Sequence, residues 1–178
     1  MDPDVLRVLF SEDDIHKIVR DLAQKVQKDY TDKVPLVVCI LKGAVIFMTD
    51  FVREYNGQLE MDFMDVSSYA GASSTGEVRI LKDLDSSVKD RDVLILEDII
   101  DTGATLQSLT ELFGNRGANS VRICTLFDKP SGRKVFAHTD YVGASVPDEF
   151  IVGYGMDYNE RYRNLPYVGV LKPAVYTK

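Results

Sequence analysis

The stretch "VLILEDIIDTGATLQSL", residues 93–109, puts Glu97, Asp98 and Asp101 within five positions and no Lys or Arg among them. Ionised carboxylates only accept hydrogen bonds or bind cations. Glu97 and Asp98 therefore form an acceptor pair suited to a sugar diol or a divalent metal. Thr102-Gly103-Ala104-Thr105 follows directly, and Leu106, Leu109, Leu112 and Phe113 then recur at helical spacing. A helix N-terminus offers unpaired amides and the positive end of a dipole. With the hydroxyls of Thr102 and Thr105, and with Gly103 letting the backbone approach closely, this turn suits a phosphate. Acceptors at one end and an anion cradle at the other match a sugar phosphate. A plainer reading is also open: Asp101 is a favoured N-cap residue, and Glu97 and Asp98 are then ordinary solvated acids.

Two other phosphate-binding patterns are absent. The chain has no G-x-x-x-x-G-K-[ST], and "GYGMDYN" from Gly153 lacks the third glycine and following helix of a dinucleotide fingerprint.

The elements that must position these groups read as alternating strands and helices. Residues 11–28 carry Ile15, Ile18, Val19, Leu22, Ala23 and Val26 at helical spacing, with Ser11 as N-cap and Asp14 three positions on. "PLVVCIL" (35–41) suits a strand buried on both faces. Lys42-Gly43 ends it and "AVIFMTDFVREY" continues as a helix. "LEMDFMDVSSY" alternates Leu59, Met61 and Phe63 with Glu60 and Asp62, as a strand does. The small, Gly-rich "AGASSTGEVR" reads as a mobile loop or hairpin tip. A strand over 93–96, a helix stopped near Gly114 and Gly117, and a strand "SVRICTLFDK" complete the pattern. Such alternation predicts an α/β domain with a mainly parallel central sheet flanked by helices. Ligands in such sheets bind beyond the C-terminal strand ends, where Lys42, Glu97, Asp98 and Lys129 emerge.

Composition limits the classes of function. The chain has 178 residues, 45% of them hydrophobic, which suits a single domain spanning 1–178. Its 28 acidic against 21 basic residues give a net charge of -7, the wrong sign for a main role on nucleic acid. Cys39 and Cys124 lie in apolar runs without metal-ligand spacing, as buried reduced thiols do. The start, "MDPDVLRVLFSEDD", has no basic region followed by an apolar core, and no apolar run approaches the roughly 20 residues of a membrane helix. A cytoplasmic protein without membrane partners is the simplest expectation.

"LILEDIIDTGATL" resembles the phosphoribosyl pyrophosphate motif of the type I phosphoribosyltransferases. "ILKGAVIF", "SSY", "LFDKPSGR" and "VPDEFIVGYGMDYNERYRNLPYVG" extend the resemblance over nearly the whole chain, toward the hypoxanthine-guanine branch of that family. The resemblance implies the type I phosphoribosyltransferase fold, with a small hood formed by the two chain termini and a lid over residues 67–77 that begins with Ser67, Ser68 and Tyr69. It implies purine salvage: Mg²⁺-dependent transfer of a phosphoribosyl group from phosphoribosyl pyrophosphate to hypoxanthine or guanine. The products are then IMP or GMP and pyrophosphate. Xanthine stays open as an acceptor, and assembly as a homodimer or homotetramer is implied.

Residue by residue, the resemblance assigns Glu97 and Asp98 to the ribose hydroxyls and Mg²⁺, with Asp157 as a further metal ligand that also contacts the base. Asp101, Thr102, Gly103, Ala104 and Thr105 wrap the 5′-phosphate, and Asp101 is the general base that takes the N7 proton. Shielding beside Ile99 and Ile100 would desolvate that carboxylate and favour proton transfer. Lys42-Gly43 and Arg163 bind pyrophosphate, and a cis Leu41–Lys42 peptide is typical of the family. Ile99 and Phe150 pack on the purine, Lys129 donates to its O6, and the Ile151 backbone meets its edge. From the residues alone, Phe150 reads as ordinary core packing and Lys42-Gly43 as a simple strand-ending turn. Ala104 stands where some relatives carry Lys, which leaves the cradle to amides and hydroxyls. His16 and His138 match no functional position. The acidic charge argues against a nucleic-acid regulator on the same fold. Lys129 and "DEFIVGYGMDYNERYR" argue against an adenine or pyrimidine enzyme.

Overall fold

Short β-branched and apolar runs separated by amphipathic stretches form, in the computed structural model, a helix–sheet–helix sandwich; the structure describes residues 1–68 and 78–177. The chain opens with strand β1 (Val5–Phe10) and helix α1 (Glu12–Asp29), followed by β2 (Leu36–Leu41), α2 (Val45–Glu54), β3 (Glu60–Ser68) and β4 (Val78–Lys82). It continues through β5 (Asp92–Ile100), α3 (Ala104–Asn115), β6 (Ser120–Asp128) and β7 (Tyr141–Ser145), and closes with β8 (Ile151–Val152), β9 (Val168–Leu171) and the short α4 (Pro173–Tyr176).

The central sheet runs β4-β3-β2-β5-β6-β7. All its pairings are parallel except β3 with β4. A strand covered on both faces must be apolar on both, and β2 shows the division. Val37 and Cys39 join the core under α1 and α2, while Leu36, Val38 and Ile40 join the core under α3. Leu94 and Leu96 of β5 face the first layer and Val93 and Ile95 the second. The expected parallel α/β architecture is thus present. Ser11 caps α1 in a capping box with Asp14, as the spacing predicts. Gly117, at φ +83, ends the α3 segment in the left-handed region.

Both chain ends build a second, three-stranded antiparallel sheet, β1-β9-β8. This is the hood that the resemblance implies. Val5, Val152 and Leu171 form its own small core.

The expected strand β3 is present and packs on both faces, Phe63 against the core under α1 and α2 and Met64 and Val66 in the core under α3, while Met61 is 54% exposed and Asp62 is buried at 4% exposure. The Asp62 carboxylate accepts hydrogen bonds from the amides of Phe63, Asp85 and Ser86 and from the Ser86 hydroxyl. Those bonds hold its carboxyl below the usual range against the upward push of burial, the largest single influence. The buried acid thus anchors the segment entering β5. One local expectation is corrected: β5 does not stop at Leu96 but runs on through Glu97, Asp98 and Ile99 to Ile100.

Candidate active site

The end of β5 is where the sheet parts. Its pairing with β2 covers only Val93–Leu96 against Leu36–Cys39, while its pairing with β6 continues to Ile100 opposite Asp128. From Glu97 onward one edge of β5 is therefore free of a neighbouring strand. Glu97 Oε2 is buried there without a hydrogen-bond partner. Asp98 accepts from the Ile99 amide at 2.9 Å. Burial, and then the neighbouring Asp98, raise the Glu97 carboxyl well above the ordinary range. Burial likewise pushes Asp98 up to about 6, partly offset by backbone hydrogen bonds and by Arg163.

These raised carboxyls give a pH-dependent stability with a definite sign. An acid whose carboxyl titrates higher in the fold than in the unfolded chain contributes stability that is complete below the unfolded value and is lost as pH rises through the folded one. The window for Asp98 runs from 3.8 to about 6. In a chelator-treated sample the melting temperature is therefore expected to fall from about pH 4 to pH 7. Glu97→Gln removes one of the two adjacent charges and should flatten that decline, by on the order of 1 kcal/mol at neutral pH. Identical melting profiles for the two proteins would contradict this.

The turn after β5 leads into α3. The helix N-cap is Gly103 at φ +84, with no side-chain cap. Asp101 is therefore not the cap, and the plainer reading of that residue fails. The Ala104 amide approaches Thr102 Oγ1 at 3.3 Å. A side chain at Gly103 would be strained by its positive φ and crowded by the Val135 carbonyl, 3.0 Å from where a Cβ would stand. Asp101 is exposed, so the apolar shielding expected beside Ile99 and Ile100 is not supplied by the chain itself.

The segment following β6 clamps this turn. The Lys134 and Val135 amides both bond the Thr102 carbonyl, at 3.0 and 3.2 Å. Arg133 donates to the Asp101 carbonyl at 3.1 Å and pairs with Asp128. A Cβ on Gly132 would lie 1.6 Å from Asp101 Oδ1.

Two more loops meet β5. The Leu41–Lys42 peptide is cis. Gly43 packs so closely on the β5 end that a Cβ there would lie 2.1 Å from Asp98 Oδ2, and one on Gly155 would lie 2.0 Å from the Gly43 carbonyl. The Arg163 guanidinium donates to the Gly155 carbonyl at 2.7 Å and pairs with Asp157 at 3.0 Å. Lys42 and Arg163 both reach Glu160, each at 3.2 Å.

Between these loops and the hood lies a cleft of about 240 Å³. That is below the roughly 300–1,000 Å³ of drug-sized sites and on the scale of one planar heterocycle. It is lined by Asp98, Ile99 and Asp101 from the end of β5 and the turn after it, by Lys129 just past the end of β6, and by Glu149, Phe150, Ile151, Met156 and Asp157. Phe150 is 37% exposed, so it is not a core residue. Its ring stacks on Tyr176 at 5.0 Å and meets Tyr158 edge-on at 5.4 Å, which fixes its orientation. Lys129 Nζ lies 3.3 Å from the Glu149 carbonyl and 3.2 Å from Asp148.

Paired carboxylates, a helix N-terminus without a side-chain cap and an aromatic cleft thus adjoin at the C-terminal end of β5, and the family model "phosphoribosyl transferase domain" matches residues 11–159. The chain belongs to the phosphoribosyltransferase family. It is 57% identical to the hypoxanthine-guanine phosphoribosyltransferase of Bacillus subtilis over 99% of this chain and 98% of that one. It is 54% identical to the Streptococcus thermophilus protein of the same name, over 100% and 99%. A crystal structure of a hypoxanthine phosphoribosyltransferase from Staphylococcus aureus superposes with a TM-score of 0.95 at 53% identity, covering 98% of this chain and 96% of that one.

In this phosphoribosyltransferase the cleft gathers Asp98, Ile99, Asp101, Lys129, Phe150, Ile151 and Asp157. Lys42, Gly43 and Arg163 adjoin through Asp98 and Asp157. Ser67 and Ser68 end β3; Tyr69 and the rest of the expected lid lie outside the described residues. His16 and His138 lie away from the cleft, beside Asp50 and Asp140. Gly132, Arg133, Glu149, Met156 and Glu160 were not legible as site residues. Arg133 and Gly132 stood inside the recognised "LFDKPSGR", but their contacts to Asp101 are long-range and have no local signal.

The family implies a divalent metal at these carboxylates. Glu97 Oε2 is buried and unpartnered, and no group of three His, Cys, Asp or Glu among the described residues converges on one point. Mg²⁺ is commonly held by one or two carboxylates plus substrate phosphates and water, and such a donor set fits the ion. No helix among the described residues is long and apolar enough to cross a membrane.

Proposed function

We propose that this phosphoribosyltransferase works in purine salvage, transferring the 5-phosphoribosyl group of phosphoribosyl pyrophosphate to hypoxanthine or guanine and releasing IMP or GMP and pyrophosphate. Lys129 carries the reading. Its ammonium, a donor without acceptor capacity, lies in the cleft wall beside Phe150. A 6-oxopurine accepts a hydrogen bond there; the amino group of adenine does not. A polar mismatch in a confined site discriminates strongly.

The purine lies between Ile99 and Phe150 with its edge toward the Ile151 backbone. The amides at residues 103–105 and the hydroxyls of Thr102 and Thr105 take the 5′-phosphate. Glu97 and Asp98 accept from the ribose 2′- and 3′-hydroxyls. As the bond between ribose C1 and the pyrophosphate oxygen breaks, positive charge builds on the ring and negative charge on the leaving group. Lys42 and Arg163 neutralise the latter. N9 of the purine bonds to C1, and Asp101 takes the N7 proton. The base over Ile99 supplies the shielding that Asp101 lacks in the chain alone. A Mg²⁺ ion, which one or two of Glu97, Asp98 and Asp157 would hold together with the substrate's oxygens, would add charge neutralisation at the pyrophosphate. Assembly as a homodimer or homotetramer rests on the family resemblance, and a cytoplasmic location on the sequence pattern together with two buried free thiols, which suit a reducing compartment.

A spectrophotometric assay of each purine with phosphoribosyl pyrophosphate and Mg²⁺ tests the reading. Nucleotide should form from hypoxanthine and guanine and not from adenine, with xanthine run alongside. Absence of product from both 6-oxopurines would overturn it.

A further inference from the structure

Glu160 stands between the two cations assigned to pyrophosphate. One oxygen, Oε2, lies 3.2 Å from Lys42 Nζ and 3.2 Å from Arg163 Nη2. It makes the bridging contact that an oxygen of a diphosphate would make with the same ammonium and guanidinium. Hydrogen bonding to Lys42, then to Arg163, holds its carboxyl below the usual range, so the bridge is charged at neutral pH.

The backbone gives a second, independent observation. Tyr158 and Arg161 exchange N–H···O bonds at 3.2 and 3.1 Å across a two-residue turn. Both central residues are left-handed, Asn159 at φ +51 and Glu160 at φ +62. Turns of this kind favour Asn followed by Gly. Asn159 fits that preference, whereas Glu160 takes the position glycine would fill most easily. The chain therefore keeps a long acidic side chain where its backbone is disfavoured, and strain of this sort collects at binding sites.

We propose that Glu160 is a built-in counter-anion of the pyrophosphate subsite, bridging Lys42 and Arg163 and displaced from both when a diphosphate group arrives. The inference rests on the reading of Lys42 and Arg163 as pyrophosphate ligands. A tethered carboxylate that bridges both cations outcompetes a small anion touching only one. A diphosphate, with more oxygens and more charge, replaces both contacts at once. Glu160 thus biases the subsite toward diphosphates and against inorganic phosphate.

The test uses the full chain and pyrophosphate as probe, titrated calorimetrically and as an inhibitor competing with phosphoribosyl pyrophosphate. Glu160→Gln keeps the side-chain shape and removes the charge; Glu160→Gly also relieves the turn. Exposed ion pairs of this kind are weak individually, so both variants should bind pyrophosphate roughly threefold to tenfold more tightly. Inorganic phosphate should inhibit them more strongly, and the KM for hypoxanthine should not move. Glu160→Asp should lie between them and the wild type. Unchanged or weaker pyrophosphate binding in Glu160→Gln would overturn the proposal, weaker binding meaning that Glu160 holds the cations in place for the ligand. Pyrophosphate binding indifferent to Lys42→Ala and Arg163→Ala would instead remove the subsite reading itself.

Discussion

Asp101→Asn is expected to lower turnover by roughly 10²–10⁴-fold while leaving affinity for the purine and for phosphoribosyl pyrophosphate near that of the wild type. The amide keeps the shape of the carboxylate but cannot take the N7 proton. Its effect on folding should be small, because Asp101 is exposed and Arg133 holds it through the backbone carbonyl. Gly132→Ala reaches the same carboxylate sterically, since the new Cβ would stand 1.6 Å from Asp101 Oδ1 and force it to turn. That variant should also lose turnover. Combined with Asp101→Asn it should add little, because both changes remove one function. Steady-state kcat and KM for the two single variants and the double variant decide the matter. Unchanged turnover in Asp101→Asn would remove the residue from the base role.

Arg163→Ala is expected to reduce kcat/KM for phosphoribosyl pyrophosphate by roughly 10²–10³-fold, with a much smaller change in the KM for hypoxanthine. The guanidinium is held in advance by the Gly155 carbonyl and Asp157, at 2.7 and 3.0 Å. Little reorganisation is then needed as charge develops on the leaving group. Its Nε is buried without a partner, an unused donor where buried donors are paired as a rule. Lysine restores charge but not the planar fork of donors, so Arg163→Lys should recover only part of the loss. Equal losses in the two KM values would show that Arg163 supports the fold of the cleft and not the departure of pyrophosphate.

Much of the frame was legible because it depends on local patterns. The capping box at Ser11 and Asp14, the doubly buried run at 36–41 and the helical spacing of Leu106, Leu109 and Phe113 each state a fold element in a few residues. The burial of Asp62 in β3 was not legible. An acid reads as exposed until its partners are known, and those of Asp62 lie more than twenty positions away, at Asp85 and Ser86. The extension of β5 through Glu97 and Asp98 was hidden for a related reason, since acids at the end of an apolar run resemble a turn. Continued pairing with β6 keeps them in the strand. At the site, residue types and the family resemblance placed Asp98, Asp101, Lys129 and Phe150 together, and the cleft joins them. Gly132, Arg133 and Glu160 act through contacts between loops, which no local periodicity encodes.

The most direct measurement is the structure of a complex of this protein with GMP and Mg²⁺. The account predicts the 5′-phosphate on the amides of residues 103–105, the ribose hydroxyls on Glu97 and Asp98, and the base between Ile99 and Phe150 with O6 on Lys129. A nucleotide whose phosphate lies away from the N-terminus of α3, or whose base leaves Lys129 unpaired, would contradict it.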